Sequence, residues 1–374
     1  VLIRQLVHGV YNRSAGPTYS VGYLAEHLAE LGNDVEVVSQ GPEPDKWPFN
    51  VVLRNFSPET RFESLLCPRG YIKHLRKISD STGIVHGHGI WRSTNLFPYL
   101  YRRNSSVRMV CSPRGMLSAW SMNHKRLRKL PFWQLLQKRA LERVHAFHVT
   151  AVIEMEDVRR LGFNQPIFVV PNGIDVPLKY NGRKKKQVLF LSRINPKKGL
   201  DILLQAWKHI SPGFPEWDLL VSGALDSGYA AGITKTAEEM QLKNIRFSGE
   251  LLGKQKTEVL NESSLFVLPT YSENFGIVVA EALAHSVPVI TTTETPWQDL
   301  KSRKCGWYIS PDAGQLSAAM QEAMKSDSVT LAEMGDRGRE WMREKFSWRT
   351  IAENTQEAYS KLLSGSQFDI LSFD

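Results

Sequence analysis

The sequence predicts an α/β protein made of two doubly wound parallel sheets, and three observations carry that reading. At 374 residues the chain exceeds one ordinary core and suits two domains of about 150–200 residues each. In both halves short apolar β-like runs alternate with helical patterns, the order that lays helices over a parallel sheet. Between the halves lies VVPNGIDVPLKYNGRKKK (169–186), where Pro171, Asn172, Gly173, Pro177, Asn181 and Gly182 interrupt regular structure and a basic run follows.

Taken in order, the opening VLIRQLV reads as a first strand already under way, so native residues are expected before it. PTYSVGYLAEHLAELG (17–32) is a helical pattern that closes on Gly32, as a helix C-terminus should. VEVVS (35–39), IVHGH (84–88), RMVCS (108–112) and AFHVT (146–150) complete the strands of the first half. In the second half the strands are QVLFLS (187–192), WDLLVSG (217–223), IRFSG (245–249), SLFVLP (264–269) and PVITT (288–292). Helices are expected at GLDILLQAWKHI (199–210) and GIVVAEALAHS (276–286). Ligands of such sheets sit beyond the carboxyl ends of the strands, and with two sheets the cleft between domains is the natural site. No internal repeat or low-complexity segment breaks the pattern.

With 42% hydrophobic and 23% charged residues the composition is that of an ordinary soluble globular protein. No apolar stretch reaches the ~18–20 residues of a membrane span, and no signal peptide is evident. Cys67, Cys111 and Cys305 lie far apart without a C-x-x-C pair, which fits a reducing cytoplasm better than disulfides or a zinc site. The charge is uneven: residues 1–180 hold 24 Lys and Arg against 14 Asp and Glu, whereas the remainder is almost balanced. A basic first half suits nucleic acid, an anionic membrane surface or a negatively charged substrate.

Two stretches carry chemistry. In LSRINPKKGLD (191–201) a strand ends at Ser192, and Lys198 and Gly199 open the next helix. Arg193 and Lys198 can converge there on one anion, where backbone N–H groups and the helix dipole also favour negative charge. A forked Arg and a Lys suit a diphosphate; a solvated basic turn is the plainer alternative. In PTYSENFGIVVAEALAHSVPVI (269–290), Glu273 just before a helix reads equally as a cap. Glu281, five residues into that helix among Val278, Val279, Ala280, Ala282 and Leu283, is expected to be part-buried and so to need hydrogen-bond donors. Sugar hydroxyls would supply two.

Together, R-x4-K after one strand and E-x7-E after a later one resemble the retaining family-4 glycosyltransferases of the GT-B fold. Further stretches share the resemblance: SAGPTYSVGYLAEHLAELGNDVEVVS (14–39), VHGHGIW (85–91), CSPRGML (111–117), PNGID (171–175) and FSWRTIAENTQEAYSKLL (346–363). The resemblance implies two Rossmann-like domains facing a cleft. These are 1–173 on the acceptor side, joined by a crossing helix at about 350–374, and 174–349 on the donor side.

It further implies that Arg193 and Lys198 bind the donor diphosphate and neutralise the leaving group. Glu281 would hold the ribose hydroxyls. Glu273, with the backbone N–H groups of Asn274, Phe275 and Gly276, would hold the donor sugar and distal phosphate. Gly16 would let the first loop approach the donor, and Gly249, Glu250 and Leu251, on to Leu252, would border the base. No Asp-x-Asp occurs, consistent with a metal-independent transferase in which cationic side chains do the work of Mg²⁺. No cofactor is implied; the UDP-, GDP- or ADP-linked sugar is a substrate, and the acceptor a saccharide or lipid-linked saccharide of a bacterial surface polysaccharide.

On the acceptor side many relatives carry a histidine where this chain has Arg114, leaving His86 and His88 as the available imidazoles. Trp120, Phe132 and Trp133 read as packing or as a sugar-stacking rim. NHKRLRKLPFWQLLQKRALERVHAF (123–147), with seven basic residues and one acidic, reads either as a helix lying on an anionic membrane or as one whose basic face is solvated and whose apolar face is core. A cytoplasmic enzyme, peripheral at the inner membrane face, is the expectation. The rival readings are a nucleic-acid-binding protein, although no binding module is recognisable, a sugar-nucleotide epimerase of the same architecture, and an inactive binding subunit.

Overall fold

A computed structural model describes residues 1–373 apart from 11–15, 45, 59, 61–62, 64–66, 79–82, 101–105, 124–125 and 226. The chain divides into two compact units, Val1–Gly173 with Trp348–Asp374, and Ile174–Ser347. The first unit supplies β1 (Leu2–Val7), β2 (Asp34–Gln40), β3 (Val52–Phe56), β4 (Gly83–His88), β5 (Val107–Ser112), β6 (Ala146–Val149) and β7 (Ile167–Val169). The second supplies β8 (Lys185–Leu191), β9 (Asp218–Ser222), β10 (Ile245–Gly249), β11 (Ser263–Leu268), β12 (Val289–Thr292) and β13 (Gly306–Ile309). The chain then returns to the first unit through a helix, Trp348–Ser364, and β14 (Ile370–Ser372).

The first sheet has eight strands in the order β14-β7-β6-β5-β4-β1-β2-β3, and the second six, in the order β10-β9-β8-β11-β12-β13. Neighbours pair in parallel; Gln5 stands opposite His86, and Val7 opposite His88. Parallel strands covered on both faces read as continuous apolar runs, which is why VLFL at 188–191 and LFVL at 265–268 are buried throughout. The returning helix buries Ile351, Ala352, Ala358 and Tyr359 in one core with Val21, Leu24, Ala25 and Leu28 of the helix Gly16–Glu30.

Four strands, β3, β7, β13 and β14, are not marked in the sequence reading. Three of them are sheet edges and all have three to five residues. β3 and β14 are at most half-buried, so they lack the apolar run that identifies a central strand. The basic run at 183–186, expected as linker, is part strand, since β8 begins at Lys185. Lys184 is drawn inward, its Nζ donating to the carbonyls of Ser263 (3.1 Å) and His285 (3.3 Å).

Candidate functional site

In the second unit the ends of β8 and β11 are stitched together by backbone. After β8 the Asn195 side chain accepts from the Lys197 N–H (3.0 Å) and starts a single 3₁₀ turn, Pro196–Lys198. The Lys197 carbonyl then accepts from the Tyr271 N–H (2.8 Å) and the Thr270 hydroxyl (2.9 Å), just past β11. Gly199 closes the turn at φ +68°, and a Cβ there would lie 1.9 Å from the Pro269 carbonyl oxygen. Only glycine permits that approach.

This docking brings the two sequence motifs together. The Lys198 ammonium, nearly buried, forms an ion pair with the Glu273 carboxylate. Arg193 is exposed and its guanidinium has no hydrogen-bond or ion-pair partner among the described residues. Lys197 lies within the field of both: burial lowers its pKa, the Glu273 carboxylate opposes that, and the charges of Lys198 and Arg193 add to it. An anion would relieve this gathering of cations.

Glu273 is not a helix cap. Its N–H donates to the Glu294 carbonyl (2.9 Å), its carboxylate is turned to Lys198, and the capping position of the helix Ile277–Ala284 belongs to Gly276, at φ +74°, with no side-chain cap. The loop is held from behind: the buried Trp297 indole donates to the Phe275 carbonyl (2.6 Å) and packs with Phe275, Trp341 and Phe346. Asn274 is half-buried.

Glu281 is part-buried, as its setting in the sequence predicts. One carboxylate oxygen accepts from Lys256 Nζ (2.6 Å), and the other, Oε2, is buried without a hydrogen-bond partner. Burial raises its pKa, Lys256 opposes that, and Asp175 adds to the rise. At the end of β10, Gly249 takes φ +73° and its carbonyl accepts from the Gly223 N–H and the Ser222 hydroxyl, both at 2.9 Å. Glu250 and Leu252 are exposed and Leu251 packs on the core. Lys256 stands on the next helix, Gly253–Glu262; sequence reasoning missed it because nothing local ties it to a carboxylate 25 positions on.

In the first unit His86, His88 and Arg114 come together, in a chain of hydrogen bonds whose direction is fixed by its ends. Arg114 Nη2 can only donate, so His88 Nδ1 (3.0 Å) accepts. His88 Nε2 therefore carries its proton and donates to Gln5 Oε1 (2.6 Å), and Gln5 Nε2 donates to the Tyr359 hydroxyl (3.3 Å). Tyr359 donates to His86 Nδ1 (2.6 Å), and His86 Nε2 donates to Ser112 Oγ (2.7 Å). Ser112 donates to His148 Nδ1 (2.7 Å), whose Nε2 donates to the Val170 carbonyl (2.8 Å), which can only accept.

All three imidazoles are buried and neutral: burial drives their pKa values well below the ordinary histidine range, His148 to about 3. Neither His86 nor His88 has a ring nitrogen to spare, so a sugar contact through either must displace a protein partner. The sequence offered no sign of Gln5, Ser112, His148 or Tyr359.

Arg114 itself adopts φ +56°. Its Nη1 donates to Asn172 Oδ1 (2.5 Å), its Nε is buried without a partner, and burial lowers its pKa to about 10. The next N–H, of Gly115, donates to the buried carboxylate of Glu154 (2.5 Å), which also accepts from the Thr150 N–H (2.9 Å). Gly16 opens its helix, but the preceding loop at 11–15 is outside the described residues.

The basic segment forms helices at Ala119–Asn123, Arg126–Phe132 and Lys138–Leu141, with a π turn at Trp133–Gln137. Trp133, Gln137, Ala140 and Leu141 point to the core. Leu127 (88%), Leu135 (62%), Leu136 (41%) and Trp120 (58%) are exposed, so the segment's apolar residues are divided between the core and the surface. Among the described residues no helix is long and apolar enough to cross a membrane.

Two family models divide the chain between them: glycosyl transferase 4-like domain matches residues 15–173, and glycosyl transferases group 1 matches 179–341. The chain belongs to the GT-B glycosyltransferases. Among curated relatives it is 24% identical over 238 residues to alpha-1,3/1,6-mannosyltransferase alg2 of Schizosaccharomyces pombe, covering 54% of this chain and 46% of that protein. It is 29% identical over 227 residues to a D-inositol 3-phosphate glycosyltransferase of Segniliparus rotundus, covering 54% and 48%. The chain thus spans about half the length of the curated relatives it matches. Among solved structures it resembles Anabaena HepE, crystallised with UDP and glucose, with TM-score 0.76 and 14% identity over 96% of this chain and 99% of that one. That likeness is one of GT-B fold.

Proposed function

We propose that this glycosyltransferase moves a sugar, with retention of configuration and without a metal, from a nucleoside diphosphate sugar to a hydroxyl of a saccharide or lipid-linked saccharide. The observation that carries the reading is the ion pair of Lys198 with Glu273 at the ends of β8 and β11, in the unit where Glu281 keeps one buried oxygen open. Arg193, which has no partner among the described residues, is close enough for its charge to act on Lys197. A diphosphate would take Arg193 and Lys198, releasing Glu273 to the donor sugar's hydroxyls. The same cations would stabilise the charge that grows on the leaving diphosphate as the glycosidic bond breaks. Glu281 Oε2 would accept from a ribose hydroxyl, satisfying the buried group that now lacks a donor.

Support for a nucleotide sugar comes from the group 1 family match and from the UDP named with HepE; UDP, GDP and ADP sugars all remain donors to test. On the acceptor side Arg114, already fixed by His88 and Asn172, is the polar group we assign. A cytoplasmic enzyme of surface polysaccharide synthesis fits this reading. The exposed leucines among the basic residues of 123–147 support a peripheral contact with an anionic membrane.

The experiment is a thermal-shift screen with UDP, GDP, ADP and their sugars, in which a ligand of the folded state raises the melting point. Glu281→Ala should weaken nucleotide binding, and unchanged affinity would remove Glu281 from the site. Glu273→Ala should lose turnover while keeping most nucleotide affinity. Arg193→Ala should weaken donor binding, and turnover should survive a chelator.

A further inference from the structure

Glu281 is held asymmetrically. Its Oε1 is bound at 2.6 Å by Lys256, while Oε2 is buried with no donor. Both side chains are largely covered, 15% exposed for Glu281 and 27% for Lys256. A carboxylate so enclosed keeps its charge only if a cation or several donors compensate it. The other charged and titratable groups nearby do not supply this. Asp175 is of the same sign and adds to the cost of ionisation. His285, on the same helix, directs Nδ1 to the Glu281 backbone carbonyl (2.8 Å), and burial holds its pKa down. Lys184 is spent on the Ser263 and His285 carbonyls, and Arg339 on the Ala284 carbonyl (2.9 Å).

We propose that Lys256 is a positioning residue for the nucleotide: by binding one oxygen of Glu281 it keeps the carboxylate ionised and turns the other oxygen to the ligand's hydroxyls. This rests on the reading of Glu281 as the ribose-binding group. Two consequences follow from the geometry. Glu281 accepts ligand hydroxyls through Oε2, with Oε1 already taken. Nucleotide affinity also stays level with pH over the range in which an unpaired buried carboxyl would take up a proton. Without Lys256, burial and Asp175 would shift that uptake toward neutrality, and the neutral acid is a weaker acceptor for a hydroxyl.

The test is calorimetric titration of the full chain with UDP, GDP and ADP, carried through with the tightest binder from about pH 6 to about pH 8.5. Wild type, Lys256→Met, Lys256→Gln, Lys256→Arg, Glu281→Gln and the double variant Lys256→Met/Glu281→Gln are compared. Each affinity is divided by that of wild type at the same pH, which cancels titration of the ligand's own phosphate. For Lys256→Met and Lys256→Gln the loss should be about threefold or less at the alkaline end and grow to about tenfold or more at the acid end, as a carboxyl losing its counter-charge is protonated. Lys256→Arg should restore the flat profile, and in the Glu281→Gln background the pH trend should vanish.

A loss equal at every pH, or one that persists in the Glu281→Gln background, would mark Lys256 as a structural residue and overturn the proposal. If instead Glu281→Gln binds as wild type does, the ribose reading itself fails.

Discussion

Replacing Tyr359 with phenylalanine removes one oxygen from the middle of the hydrogen-bond chain and leaves the ring in place. Tyr359 is 1% exposed, and its ring stands edge-on to His86 and Phe168, contacts that phenylalanine keeps. What is lost is the donor to His86 Nδ1 at 2.6 Å and the acceptor for Gln5 Nε2 at 3.3 Å. Each buried polar group left without a partner costs about 1–3 kcal/mol. The longer Gln5 bond contributes least, so the variant should lose about 2–4 kcal/mol. For a unit of this size, at about 2–4 °C per kcal/mol, the melting point should fall by about 5–15 °C.

Denaturant unfolding and calorimetry give the energy, and imidazole nitrogen shifts test its origin. In wild type His86, His88 and His148 should each carry the proton on Nε2. In the variant His86 should keep its Nε2 proton, still held by Ser112, while its Nδ1 shift moves to that of a nitrogen without a donated hydrogen bond. A loss below about 0.5 kcal/mol, near the usual scatter for a substitution without consequence, would refute the chain as drawn, as would an Nδ1 proton on any of the three rings in wild type.

Two further outcomes follow from the same structure. Because the three chain histidines have folded pKa values far below their unfolded ones, the unfolded state takes up protons first on acidification. Stability should be level above about pH 6.5 and fall below it, by about 1.4 kcal/mol per pH unit for each histidine and about 4 for the three. A pH series of denaturant midpoints checks this, and a flat series between about pH 5 and pH 7 would contradict it. Gly199→Ala forces a Cβ to within 1.9 Å of the Pro269 carbonyl at φ +68°. The second unit should lose about 2 kcal/mol or more, and turnover should drop with it because the turn carrying Lys198 must move; unaltered unfolding would deny the close packing of β8 and β11.

The site illustrates what can be read locally. Arg193 and Lys198 sit across one turn, so their spacing pointed to an anion, and the apolar neighbours of Glu281 on its helix pointed to hydroxyl donors for a part-buried carboxylate. Whether Glu273 caps that helix could not be read in the same way, because a cap and an ion pair draw on the same residue type at the same place. The answer depended on Lys198, 75 positions away. The exposed leucines at 127, 135 and 136 pose the same difficulty: periodicity marks an apolar face but not what covers it.

By itself the sequence determined the central strands and their helices and the doubly wound class, since apolar periodicity, turn residues and helix ends are local properties of the chain. Tertiary structure decided the pairings on which charge and proton position depend. Gln5 meets Tyr359 across 354 positions, and Lys256 meets Glu281 across 25. A buried polar group is satisfied by whatever donor the fold brings to it, and the distance along the chain carries no record of that meeting.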